Sequence, residues 1–253
     1  MFNKIHSQTW LKYFISNQKT PQQIDWYLPD NLSAEQQAVI QQSLQAFQRV
    51  EYSEGKNLLH FAKQYAAEQQ DEDYVSAIVL FIREEQRHAH LLATYMKKWG
   101  IPTVKHHFLD NAFRGLRRRF NLRFSIRVLQ AAEMTAEVYY TALSRSTSSV
   151  LLKTICADIL QDERAHLRFH AEQLVIMDWE KGVLGRLSGN LLQKLLFYPT
   201  ILVIWLGYAD TFRAGGYDFS RYIAHCQWVL YQGLNYMNAY YAQLDKPLEK
   251  LAF

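Results

Sequence analysis

Residues that form turns are scarce in this chain. It has 10 glycines and 5 prolines among 253 residues, about half of the roughly 12% that these two residues contribute to an average protein. A many-stranded sandwich or propeller needs frequent tight turns, so this scarcity disfavours both and favours long helices. Composition also excludes disorder, because 49% of the residues are hydrophobic and 14% are aromatic.

Cysteines, net charge and long apolar runs are limited as well. The two cysteines, Cys156 and Cys226, are too few for a disulfide framework or a cysteine-based zinc site, which fits a reducing compartment. The N-terminus has no apolar stretch typical of a secretory signal. The uncharged run at 195–209 is shorter than the roughly 20 residues that cross a bilayer. We therefore expect a cytoplasmic protein, whose net charge of +4 permits an anionic partner but does not require one.

Hydrophobic periodicity divides the chain into three parts. Residues 1–33 form a lead-in that is irregular or partly helical. Residues 34–180 contain four long segments in which apolar residues recur every three or four positions, as on one face of an amphipathic helix, and we call each of these faces a stripe. Residues 181–253 predict a helical extension that packs on the preceding part. The sequence thus predicts an all-α protein, in which four helices joined by short turns form an antiparallel bundle with additional C-terminal helices.

Breaks between the stripes place the helices. The first helix is predicted from an N-cap at Ser33 to about Ala67, and the second follows a polar turn at 69–73 and ends near Gly100. The third helix is predicted over about 122–143 and the fourth after a serine-rich turn. In the C-terminal part, glycines loosen the chain before an apolar helix, and a Gly-Gly pair precedes a last amphipathic helix.

Each of the four stripes carries an acidic residue where its apolar pattern requires a core residue. The second and fourth helices also carry Glu-x-x-His sequences, Glu85 to His88 and Glu163 to His166. Residues three apart share one face of a helix, so both side chains of each pair can reach one metal ion. Counting from the turns puts both pairs at one level, because Glu85 lies 15 residues after position 70 and Glu163 lies 15 after position 148.

The first helix offers two inward glutamates, Glu51 and Glu54. Glu133 lies 79 residues after Glu54, close to the shift of 78 that relates the two Glu-x-x-His pairs, whereas Gln130 corresponds to Glu51. We therefore predict Glu54 as the ligand and keep Glu51 as the alternative. Four buried carboxylates would repel one another and lose hydration unless cations balanced them. Carboxylate and imidazole ligands suit two iron ions, with manganese or a mixed pair as alternatives.

The order Glu, Glu-x-x-His, Glu, Glu-x-x-His on four helices resembles the ferritin-like di-iron carboxylate superfamily over about residues 34–177. The resemblance implies a ferritin-like bundle with bridging carboxylates, and six ligands: Glu54, Glu85, His88, Glu133, Glu163 and His166. It also implies that Glu84 and Asp162 orient the histidines by accepting their second N–H groups.

Two further groups lie one turn beyond this set. Glu137 is an additional ligand, a proton carrier or a charge paired with an arginine, and His170 is a seventh ligand or a pocket-lining residue. We interpret Tyr139 and Tyr140 as core residues, with radical chemistry as the alternative.

A basic strip precedes and enters the third helix. We interpret it as a solvated helix start, with an RNA, anionic-lipid or phosphate-binding surface as the alternative. Its members are Arg114, Arg117, Arg118, Arg119, Arg123 and Arg127.

The function that we expect from this sequence is oxidation or oxygenation of a small organic molecule with dioxygen, with an unidentified electron donor. The alternatives are an iron-oxidising protein without an organic substrate, a tRNA-hydroxylase-like enzyme that uses the basic strip, and a metal-free helical interaction module. The apolar C-terminal helix would complete the bundle, form a homodimer interface or line a channel.

Overall fold

The computed structural model describes residues 2–19, 23–52, 55–105, 115 and 121–245. All regular structure within these ranges is helical, which confirms the predicted all-α class. The helices are α1 (Phe2–Lys19), α2 (Ala34–Glu51), α3 (Lys56–Gln69), α4 (Glu72–Lys98), α5 (Leu122–Arg145), α6 (Val150–Trp179), α7 (Gly182–Ala214) and α8 (Phe219–Leu244).

Short polar side chains begin most of these helices. Ser33 forms a capping box with Gln36 at the start of α2, and Ser149 accepts a hydrogen bond from the backbone of Leu152 in α6. Asn121 caps α5 in the same way. Each cap satisfies a backbone N–H group that has no partner within the helix, so the starts of these helices are encoded locally.

The single helix predicted from Ser33 to Ala67 is wrong. The chain leaves α2 after Glu51 and begins α3 at Lys56. Gly55 has a φ of +61°, and its Cα lies so close to Ile82 that a Cβ atom would meet that side chain at 2.5 Å. A left-handed φ and close packing both favour glycine, so the break depends on this residue.

The lead-in contains a full helix. α1 packs against α4 and α6, with Phe14 fully buried and Trp10 8% exposed. Among the described residues, the buried apolar side chains form two clusters. One includes Leu44, Tyr95 and Ile155, and the other includes Phe14 and Phe81. On both α4 and α6, one part of the helix packs in the first cluster and another part packs in the second. The Glu-x-x-His residues lie between these two parts.

The glycines before the predicted apolar helix do not loosen the chain, because α7 already begins at Gly182. Gly185 approaches the backbone of Asp178, and Gly189 approaches the side chains of Arg127 and Asp178. By length and composition alone, α7 is apolar enough to cross a membrane, although 39% of its most apolar window is buried against the protein. The helix kinks at Tyr208, whose φ and ψ are not helical.

Candidate metal centre

Side chains from four helices meet between the two apolar clusters. They form two groups in which ligand atoms, one from each residue, lie within 4.8 Å of one another. Glu85 and Glu163 belong to both groups, so the groups share an edge. The first group is Glu51, Glu85, His88 and Glu163, and the second is Glu85, Glu133, Glu163 and His166.

Both histidine rings direct Nδ1 towards the shared glutamates. Nδ1 of His166 lies 3.1 Å from Oε1 of Glu85, and Nδ1 of His88 lies 3.4 Å from Oε1 of Glu163. The outer carboxylates are further away: Glu51 Oε2 is 3.9 Å from His88 Nδ1, and Glu133 Oε2 is 3.9 Å from His166 Nδ1. In both groups, therefore, the histidine faces the carboxyl groups of its group through Nδ1.

The second nitrogen of each ring contacts a carboxylate on the other Glu-x-x-His helix. His88 Nε2 lies 3.0 Å from Asp162 Oδ2, and His166 Nε2 lies 2.9 Å from Glu84 Oε2. An Nε2–H that donates to a carboxylate leaves the lone pair of Nδ1 available for a cation. Glu84 and Asp162 thus occupy the orienting positions that the resemblance implied.

A residue that sequence reasoning missed joins these two carboxylates. The side-chain amide of Asn17, on α1, donates to Oε1 of Glu84 at 2.8 Å and to Oδ1 of Asp162 at 2.9 Å. Arg87 donates to Asp162 and Asp158, each at 2.6 Å. No local pattern marks Asn17, because its partners lie 67 and 145 residues further along the chain.

On the first helix, the structure places Glu51 in the cluster, and Glu54 lies outside the described residues. Glu51 is 4% exposed, and Tyr140 donates a 2.6 Å hydrogen bond to its Oε1. Tyr140 and the adjacent Tyr139 are fully buried, and Tyr139 stacks on Phe47 with 3.5 Å between ring centroids.

The two groups one turn beyond the cluster differ in their surroundings. Glu137 lies 3.5 Å from Nε of the exposed Arg164, which matches the interpretation as a charge with an arginine partner. His170 is fully buried, and neither of its ring nitrogens has a hydrogen-bond partner. Its Nε2 lies 3.8 Å from Oε1 of Glu133. Burial, together with the nearby His166, lowers the pKa of His170 well below its usual value, so the ring is neutral and can bind a cation.

The pKa shifts of the cluster indicate that its carboxylates have too little positive charge around them. Burial and the neighbouring Glu133 and Glu51 raise the pKa of Glu85 to about 8. Burial and Glu133 raise the pKa of Glu163 well above its usual value. Burial opposes protonation of His88, yet its hydrogen bond to Asp162 and the nearby carboxylate of Glu51 raise its pKa to about 9. The cluster thus retains protons where cations would otherwise compensate the carboxylates.

Unpaired atoms lead to the same conclusion. Five buried atoms of the cluster have no hydrogen-bond partner: Oε1 of Glu85, both carboxylate oxygens of Glu163, and Nδ1 of His88 and of His166. Buried polar atoms without partners are costly and rare in folded proteins. Oxygen and imidazole donors that converge in two overlapping sets can hold a metal ion.

The basic strip is only partly described, since Arg114 and Arg117 to Arg119 lie outside the described residues. Both interpretations of the strip, a solvated helix start and an exposed anion-binding surface, are wrong for Arg127, which is fully buried and donates to Asp178. Arg123 is half-buried and donates to the same carboxylate at 2.5 Å and to the backbone of Gly185. The two residues hold the start of α5 against the end of α6.

Aromatic side chains border the cluster on the α1 side. The ring of Phe81 meets His166 and His170 edge-on, with centroids 4.8 and 4.7 Å apart, and Phe14 lies 6.2 Å from His166. These rings keep the surroundings of the two histidines apolar. No family model, curated protein sequence or solved structure matches this chain, so the site is identified by the geometry of its own Glu and His residues.

Proposed function

We propose that this chain is a ferritin-like carboxylate protein that holds two metal ions, with iron as the first candidate, and that it uses dioxygen to oxidise a small organic molecule. The observation that carries the proposal is the pair of overlapping ligand sets, which share Glu85 and Glu163. Two divalent ions would balance the four carboxylates, which otherwise repel one another in a buried environment.

Some side chains of the cluster would contact both ions and others only one. Glu85 and Glu163 lie between the two positions and would contact both, while Glu51 with His88 and Glu133 with His166 would each complete one position. Asp162 and Glu84 fix the rings of the histidines from behind. Hydrogen bonding of this kind raises the basicity of an imidazole ligand and sets its orientation.

When bound, two iron ions would supply the electrons for a two-electron reduction of dioxygen, a reaction that protein side chains alone do not perform. The protein around them controls access. Glu163 exposes 1% of its side chain and Glu85 exposes 15%, so solvent and small molecules approach from the side of Glu85. Phe81 and Phe14 lie beside His166 and exclude water there. A dry, aromatic environment suits oxidation of an organic molecule better than transport of hydrated iron.

Metal analysis tests the dinuclear site. Protein purified from iron-supplemented cells is expected to contain about two metal ions per chain, and Glu85→Ala and Glu163→Ala are each expected to lose most of both. Glu68→Ala, which changes an exposed glutamate on α3, is the matched control and should retain them. Less than one ion per chain, unchanged by Glu163→Ala, would overturn the proposal.

Reaction with dioxygen separates the oxidase from an iron-handling protein. Reduced protein loaded with two Fe²⁺ per chain is mixed with oxygenated buffer, and oxygen uptake and absorbance are followed. The proposal expects one fast uptake event that Glu163→Ala abolishes and further turnover only when reductant and an organic substrate are added. Continued oxidation of excess Fe²⁺ without reductant, with ferric mineral as the product, would instead identify an iron-handling protein.

A further inference from the structure

The solvent-facing side of α7 is apolar over most of its length. Seven side chains, spaced three or four residues apart, form what we call the α7 stripe: Leu184, Leu187, Leu191, Leu195, Tyr198, Leu202 and Leu206. Their exposed fractions range from 39% at Tyr198 to 82% at Leu206. The opposite side of the same helix packs on α5 and α2, so the stripe has no partner within the described part of the chain.

The spacing keeps the stripe on one side of the helix. The steps of three, four and four residues repeat every 11 residues, which corresponds to about 3.67 residues per turn and stays close to the 3.6 of a straight helix. From Leu184 to Leu206 the stripe is roughly 33 Å long at a rise of 1.5 Å per residue. The kink at Tyr208 lies beyond its last member.

The area of the stripe matches an association surface. At roughly 100 Å² each, the seven side chains of the stripe leave about 700 Å² of apolar surface in contact with water. The largest apolar patch of a typical soluble monomer covers roughly 300–600 Å². A stable protein–protein interface buries roughly 800 Å² on each partner.

The two ends of the stripe carry charged side chains. Lys181, exposed, lies one turn before Leu184, and Asp210, whose side chain is 80% exposed and pairs with Arg213 of its own chain at 3.0 Å, lies one turn after Leu206. If two copies of α7 pack antiparallel around Leu195, Lys181 of one copy lies at the level of Asp210 of the other. The long stem of Lys194, beside the centre, can carry its charge to water at the edge of the contact.

We propose that two copies of this chain associate through their α7 stripes in an antiparallel, two-fold symmetric dimer. A self-complementary surface of this kind is what a two-fold interface requires. The inference goes beyond the proposed function, because the metal cluster lies within one chain.

Solution mass tests the dimer. Full-length, metal-loaded protein without detergent is expected to sediment at twice the 29.8 kDa of the chain. The double variant Leu191→Glu/Leu195→Glu should sediment as a monomer with unchanged helical circular dichroism and metal content. Tyr27→Glu is the control, because Tyr27 is 97% exposed and lies outside α7, and it should remain dimeric. A monomeric wild type, or a dimer that survives the double variant, would overturn the inference.

Cross-linking tests the antiparallel arrangement in proteins that keep the stripe. The native cysteines are buried and should not react with a short bismaleimide. Leu195→Cys is expected to cross-link to its own copy, and Leu184→Cys alone is not, whereas a mixture of Leu184→Cys and Leu206→Cys is expected to give a cross-linked dimer. Cross-linking of Leu184→Cys to itself, or absence of any product together with flotation of the protein on phosphatidylserine vesicles, would contradict the proposed dimer.

Discussion

Nε2 of His88 lies 3.0 Å from Oδ2 of Asp162, across the interface between α4 and α6. The reciprocal contact, His166 with Glu84, is 2.9 Å long. Each Glu-x-x-His helix thus supplies both an imidazole and the carboxylate that orients the imidazole of the other helix. The two ligand groups are therefore coupled through α4 and α6, and a change at one carboxylate should affect the histidine of the opposite helix.

Asn17→Ala should weaken metal binding without changing any ligand. The substitution removes both hydrogen bonds that hold Glu84 and Asp162, and loss of an outer hydrogen-bond partner typically costs 10–100-fold in metal affinity. We expect a decrease of about 10-fold, measured by competition with a chelator. Thr9→Ala, an exposed position on the same helix, should bind metal like the wild type. Equal affinities in all three proteins would show that α1 does not position the site.

Glu51→Gln and Glu54→Gln distinguish the two candidate ligands on the first helix. Glu51 lies within the cluster, so its replacement should lower the metal content from about two ions per chain to about one and leave the position near His166 occupied. Glu54→Gln should retain both ions. Elemental analysis of both variants, purified in parallel, decides between them. The reverse result would restore the prediction made from the repeat of the sequence.

His170→Ala should weaken the metal position near His166 more than the one near His88. The neutral ring of His170 has two unpartnered nitrogens and lies close to Glu133, so it can add a second imidazole to that position alone. Titration of the metal-free protein with Mn²⁺, followed by electron paramagnetic resonance, should show two binding steps in the wild type. The tighter step should weaken in His170→Ala. An unchanged titration would show that His170 is not a metal ligand.

The metal-free protein should lose stability as the pH rises from about 5.5 to 8.5. In the folded protein the pKa of Glu85 is raised from 4.5 to about 8 and that of His88 from 6.5 to about 9. Folding therefore favours the protonated forms, and this contribution is lost as the pH rises through the folded-state pKa values. Because a tenfold change in proton affinity between the unfolded and folded states corresponds to about 1.4 kcal/mol, the free energy of unfolding should fall by more than about 1 kcal/mol.

Metal should reverse this pH dependence, because bound cations require deprotonated ligands. Urea unfolding of chelator-treated and metal-loaded protein at pH 5.5, 7 and 8.5 measures both curves. The stabilisation by metal should be largest at pH 8.5. If the two curves ran parallel, the buried carboxylates and histidines would not be the metal ligands.

The sequence predicts the parts of the site that depend on spacing within one helix. Glu85 and His88 share a face because they are three residues apart, and their level with Glu163 follows from counting residues from each turn. The choice between Glu51 and Glu54 cannot be made by this route, since the helical register cannot be counted through the break at Gly55. Asn17 and Arg127 could not be assigned because their partners lie far along the chain.

Asp178→Asn should strongly destabilise the protein although Asp178 is not a proposed metal ligand. Asp178 is fully buried and accepts hydrogen bonds from Arg127, Arg123 and Tyr241. Without its charge, the buried guanidinium of Arg127 has no counter-ion, and removing one partner of a buried ion pair typically costs about 3–5 kcal/mol.

The control for this substitution is Asp210→Asn, which removes an exposed carboxylate paired with Arg213 and should cost less than about 1 kcal/mol. Arg127→Met should partly rescue Asp178→Asn, because it removes the uncompensated charge while its side chain still fills the space. Urea unfolding of the single and double variants gives the coupling free energy between the two residues. A coupling near zero would mean that Arg123 alone holds Asp178, and that burial of Arg127 does not depend on this carboxylate.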